Sequence, residues 1–103
     1  MTKRPSKVNI MGKEYSITYC DNPADVDIFK RTSVWGQIDY WTRTIRIYDK
    51  DSNDSDVLDG LIHEVLHGIE AELKFEMDHT QLAIVAGALA DTFIRNKWIT
   101  FEK

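Results

Sequence analysis

The run Val57-Leu58-Asp59-Gly60-Leu61-Ile62-His63-Glu64-Val65-Leu66-His67-Gly68-Ile69-Glu70-Ala71-Glu72-Leu73 decides how this chain is built. At about 100° per residue, Leu58, Leu61, Ile62, Val65, Leu66, Ile69 and Leu73 gather in one apolar arc. This pattern predicts an amphipathic helix over 57–73 with one side laid on a core. His63 and His67 fall outside the arc. Four residues apart, they share a helix face, so both imidazoles can address one point. Glu64 stands about 100° round from His63. Core packing accounts for none of the three, and a solvated face makes their pairing an accident.

Towards the N-terminus the period changes from helical to two-residue. Val8 and Ile10 alternate with polar neighbours, as do Tyr15, Ile17 and Tyr19, which predicts a hairpin with its turn at 11–13. Asp21-Asn22-Pro23 ends the second strand, and 24–30 reads as a short capped helix. Strands over 35–41 and 44–48 follow, joined antiparallel by a tight link around 41–43. In the second, Ile45 and Ile47 face one way while Thr44, Arg46 and Tyr48 face the other.

The polar stretch 49–56 carries acids at alternate positions. It fails as a calcium loop, because Asp54 stands where Gly is required and Gly60 where Glu is required. It reads as a solvated loop feeding a helix N-terminus. After 57–73, residues 74–78 form a short connection to a second helix over 79–97, with the stripe Leu82, Val85, Ala86, Leu89 and Phe93. The class is α+β: a small antiparallel or mixed sheet, then the histidine-bearing helix and a second C-terminal helix.

With 103 residues, 43% hydrophobic and 29% charged, the chain is expected to form a single domain over 1–103. A net charge of −4 gives no electrostatic footprint for nucleic acid. No apolar run approaches a membrane span. The basic opening Met1-Thr2-Lys3-Arg4-Pro5-Ser6-Lys7 lacks an apolar segment behind it and reads as a frayed terminus. The single cysteine, Cys20, has no partner for an internal disulfide and fits a reducing compartment. A soluble cytoplasmic protein is expected, with no nucleic-acid or membrane partner. Oligomeric state stays open, since the small-residue stretch 83–90 can pack within the chain or against a second copy.

His63-Glu64-Val65-Leu66-His67 has the H-E-x-x-H spacing by which two histidines bind zinc and the glutamate serves as general base. A catalytic zinc takes three protein ligands and leaves a fourth position open. Leu73 occupies the place of the third histidine in metzincins. His79, at the start of the second helix behind a short connection, is the best-placed third ligand; Glu70, Asp78, Glu76 and Asp91 are the alternatives. Asp91 or Glu70 can accept the outward ring N–H of a ligating histidine. Tyr40, Tyr48 and Arg46 are candidate donors to a developing oxyanion. Trp35, Trp41 and Trp98 read as packing anchors.

Three segments carry a family resemblance. They are Gly36-Gln37-Ile38-Asp39 followed by Thr44-Ile45-Arg46-Ile47, then Leu61-Ile62-His63-Glu64-Val65-Leu66-His67-Gly68-Ile69, then Leu82-Ala83-Ile84-Val85-Ala86-Gly87-Ala88-Leu89-Ala90-Asp91. In these the chain resembles the small zincin-like metallopeptidases of phage and bacterial genomes, close to the ImmA/IrrE-like group. The resemblance implies a compact zincin-like fold, Zn²⁺ as cofactor and a peptide or protein substrate. It makes His63 and His67 the first two ligands and Glu64 the catalytic base. Many relatives place a glutamate near the start of the second helix as third ligand; here His79 stands there, a ligand type that SprT-like zincins use.

The expected function is a zinc-dependent endopeptidase. Zinc on His63, His67 and His79 would bind a water that Glu64 activates, and 35–41 or 44–48 would offer a strand edge to an extended peptide. The alternative is a zinc-stabilised regulatory or protein-interaction module with a peptidase-like fold and no turnover, marked by a closed four-ligand site. A metal-free binding domain is a third option and predicts no stabilisation by Zn²⁺.

Overall fold

In the computed structural model, which describes residues 2–20, 36–49, 53–99 and 101–102, the two periods resolve into a sheet and a helix pair. The strands are β1 (Thr2–Lys3), β2 (Lys7–Ile10), β3 (Lys13–Cys20), β4 (Gly36–Asp39), β5 (Thr44–Tyr48) and β6 (Phe101–Glu102). The helices are α1 (Asp54–Leu73) and α2 (His79–Arg95). The expected helix over 24–30 and Trp35 lie outside the described residues.

The β2–β3 hairpin closes on Met11 and Gly12, with φ of 52° and 93°. Two successive positive φ values make the two-residue turn that suits strand twist, so the turn is one residue tighter than 11–13. Asn9 Oδ1 accepts the Gly12 N–H at 2.8 Å and holds it. The four-stranded sheet runs β2-β3-β5-β4 and is mixed: β3 pairs with β5 in parallel, Ile17 opposite Ile45, while β4 and β5 are antiparallel. Strand β5 is therefore central, and β4 is the edge beside α1.

Ile10, Tyr15, Ile17, Ile45 and Ile47 form the inner face of the sheet, and Val57, Leu58 and Leu61 of α1 pack on it with Ala90 of α2. The helix crosses closely at Gly68. A Cβ there would lie 2.7 Å from Ile10 Cδ1 and 3.3 Å from Ile38 Cδ1. The apolar arc runs out early, for Leu73 is 55% exposed at the last turn of α1.

Capping sets the helix ends. Asn53 Oδ1 accepts the Asp56 N–H at 2.8 Å, so α1 begins at Asp54, three residues before the expected start. Its C-terminus turns at Lys74 in the left-handed conformation, with the Lys74 N–H on the Glu70 carbonyl. Asp78 Oδ1 caps α2 through the N–H groups of Thr80 and Gln81. Helix α2 ends at Arg95 rather than Lys97, and buries Leu82, Ala86 and Ala90. Val85 is 41% exposed, so the buried stripe is narrower than the apolar pattern predicts.

The N-terminal segment is tied down rather than frayed. Arg4 meets Asp49 and Asp54 at 3.0 Å each, and β1 pairs in parallel with β6. Trp41 is 95% exposed at the tip of the β4–β5 turn and anchors no packing; Trp98 is 69% exposed but lies against Phe93. Trp41 departs from the expectation of a packing anchor, because it stands at the tip of the turn. Cys20 is half-buried. Among the described residues, no helix is long and apolar enough to cross a membrane.

Candidate metal centre

Helix periodicity puts His63 and His67 on the face of α1 that looks towards the start of α2. The short turn at 74–78 brings His79 back to them. One nitrogen from each of the three imidazoles lies within 4.8 Å of the others. His63 Nε2 and His67 Nε2 are 3.2 Å apart. Two nitrogens on one tetrahedral zinc, each bonded at about 2.05 Å, stand about 3.3 Å apart, so this pair has the spacing of shared ligands. The ring centroids of His63 and His79 are separated by 5.1 Å and those of His67 and His79 by 5.6 Å. The donor set, three imidazole nitrogens, suits zinc.

Burial holds the His63 imidazole below its usual pKa, with His67 and His79 adding to the effect. A neutral ring is the form that binds metal. His67 Nδ1 lies 2.8 Å from Glu70 Oε1, which leaves its Nε2 lone pair facing the cluster. Glu70 is buried and held below the usual carboxylate range, first by the Met77 N–H and then by His67.

Glu64 lies against β4 at the edge of the sheet. It is 6% exposed, accepts the backbone N–H of Ile38, and is pushed up to about 7 by burial. A Cβ on Gly36 would lie 3.2 Å from Glu64 Oε2, so β4 approaches the carboxylate closely. Glu64 and two of the histidines open onto one cleft of about 610 Å³, lined by Gly36, Asp56, Asp59, Gly60, His63, Glu64, His79 and Ala83. Asp59, one turn before His63, has its pKa raised by burial and by Asp56.

No family model matches this chain, and no curated protein or solved structure is similar to it.

The alternative third ligands are engaged elsewhere. Asp78 caps α2, Glu70 bridges His67 and Met77, and Asp91 pairs with Arg95 at 2.8 Å. Glu76 is exposed and borders a separate hollow with Tyr40 and His67. Of the three candidate oxyanion donors, Tyr40 alone comes near the motif. Its hydroxyl donates to the His67 carbonyl at 3.0 Å, and burial, Glu64, Tyr15 and Glu70 raise its pKa. Arg46 and Tyr48 alternate with Ile45 and Ile47, so they start from the sheet face opposite α1. Among the described residues, strand β5 has neighbours on both sides, which leaves β4 as the one of the two expected strands with an edge to offer.

Three features of the site lie outside the H-E-x-x-H pattern. Gly36 and the Ile38 N–H touch Glu64 across 26 or more residues of chain, and no local pattern announces such a contact. The Asp59 side chain was visible in principle: Asp59, His63 and His67 recur every four residues on one helix face.

Proposed function

We propose that this chain is a zinc-dependent endopeptidase of zincin-like type, with His63, His67 and His79 as ligands and Glu64 as general base. The observation that carries the reading is the convergence of three imidazoles at a cleft that a buried carboxylate, Glu64, also lines. When bound, zinc supplies a Lewis acid that polarises a carbonyl and acidifies a water. A general base gains from a pKa above the ordinary carboxylate range, and burial shifts Glu64 in that direction. Glu64 can take a proton from the attacking water and return it to the leaving amine. The Ile38 N–H fixes one side of the carboxylate, so the proton is handled at a defined place.

An extended peptide pairing along β4 has to share that edge with Glu64. Asp56 and Asp59 make the cleft wall acidic, so peptides with Lys or Arg beside the scissile bond are the first substrates to test. Engagement of Glu70, Asp78 and Asp91 elsewhere speaks for an open coordination position, and so for catalysis over a closed structural site.

Elemental analysis of the purified protein should give one zinc per chain, lost on His63→Ala, with a higher melting temperature in zinc than in chelator. A basic peptide library should be cut by wild type. Glu64→Gln should retain zinc and lose turnover; undiminished cleavage by that variant would remove Glu64 from the mechanism. Zinc binding without cleavage of any peptide would favour the regulatory or interaction module.

A further inference from the structure

Resting on the zinc reading, we infer that Glu70 is a positioning residue for two ligands at once, holding the tautomer of His67 and the placement of His79. Its two carboxylate oxygens have different duties. Oε1 lies 2.8 Å from His67 Nδ1, three residues back on α1. Oε2 accepts the Met77 N–H at 2.6 Å, seven residues ahead in the connection. Its main-chain carbonyl accepts the N–H of Lys74 and, at 3.2 Å, that of Phe75. A single buried residue thus fixes both ends of the turn that carries the chain from His67 to His79.

Met77 stands two residues before the third imidazole in the chain. Asp78 caps α2 and His79 is its first helical residue, so Met77 sets the entry of the helix that bears the ligand. Releasing the Met77 N–H frees the turn; releasing Nδ1 frees the ring of His67. A histidine that binds metal through Nε2 carries its proton on Nδ1, and a carboxylate partner keeps it there. Both partners of Glu70 are then donors, and only a group with two acceptor oxygens satisfies both.

Glutamine has the same size but one acceptor and one donor. In Glu70→Gln the amide oxygen serves the Met77 N–H or His67 Nδ1, and the –NH₂ faces the other. With the –NH₂ towards Nδ1, the ring is driven to the tautomer with its proton on Nε2, where the metal should be. With the –NH₂ towards Met77, two donors oppose each other and the turn opens. Either arrangement weakens the site.

Zinc affinity of wild type and Glu70→Gln is to be measured by chelator competition, alongside Co²⁺ absorption spectra and the melting temperature of each metal-free protein. The expected result is zinc binding 10- to 100-fold weaker in the variant, the loss typical of a removed outer partner, with an altered Co²⁺ spectrum. A role in the fold alone predicts a lower metal-free melting temperature with unchanged affinity and spectrum; that result overturns the inference and leaves the zinc site standing. Absence of zinc from wild type overturns both. A second measurement is independent of how well the variant folds: long-range ¹H–¹⁵N spectra of zinc-loaded wild type should show His67 protonated at Nδ1. A proton on Nε2 overturns the inference.

Discussion

Gly36 shows how much of the site depends on one missing methyl group. A Cβ at this position would lie 3.2 Å from Glu64 Oε2 and 3.3 Å from Ile47 Cδ1. Ile47 is 1% exposed in the core and has nowhere to go, so the carboxylate is the group that yields. Displacing a base by a fraction of an ångström is costly to turnover, up to about 100-fold for a full ångström. Gly36→Ala should therefore reduce peptide hydrolysis on the order of tenfold while zinc content stays the same. Full activity in this variant would show that the base tolerates movement. The same residue marks a limit of sequence reading. The H-E-x-x-H spacing speaks for itself because a helix repeats locally, and His79 could be placed by the short turn before it. What presses on Glu64 from β4 is a contact across the fold, and what Glu70 does with its second oxygen is set by the path of the irregular turn after α1. They have no period, so nothing in the order of residues announces them.

At the scale of elements, the two helix caps separate folding from metal binding. Asn53 and Asp78 do the same work, each accepting backbone N–H groups at the start of a helix. Replacing either by alanine should cost about 1 kcal/mol of stability, measured as the urea midpoint of the metal-free protein. Only Asp78 stands next to a candidate ligand. Asp78→Ala should also weaken zinc binding by allowing the first turn of α2, with His79, to fray, whereas Asn53→Ala should leave the affinity unchanged. Equal zinc affinities in the two variants would mean that His79 is held from elsewhere. Strand and helix types were legible, since Ile45 and Ile47 alternate and the arc of α1 recurs at helical spacing. Neighbours were not. Alternation says which face a residue takes, but not that β3 would lie parallel to β5 and leave β4 at the edge.

For the molecule as a whole, the end of the sheet and the start of α1 are joined through the N-terminal segment. Arg4 reaches Asp49 and Asp54, and one residue later the Pro5 carbonyl accepts the Tyr19 hydroxyl at 2.7 Å. Burial, the largest influence on Tyr19, raises its pKa to about 12, against the nearby Arg4 charge that lowers it. The unfolded chain ionises a tyrosine near pH 10. Because the folded value is the higher one, the stabilisation is fully present below about pH 10 and is lost as pH rises from there towards 12. Tyr19→Phe removes both the hydrogen bond and the ionisation. Near pH 8 it should be less stable than wild type by about 1 kcal/mol, the net worth of a typical hydrogen bond. Between pH 10 and 12 the wild type should lose stability faster, so the gap between their urea midpoints should narrow. A gap that stays constant to pH 12 would show that Tyr19 titrates alike in both states, and that its contact with Pro5 closes nothing. A narrowing gap would make the N-terminal segment part of the same cooperative unit as the sheet and α1, and thereby a determinant of the helix on which two of the three histidines stand.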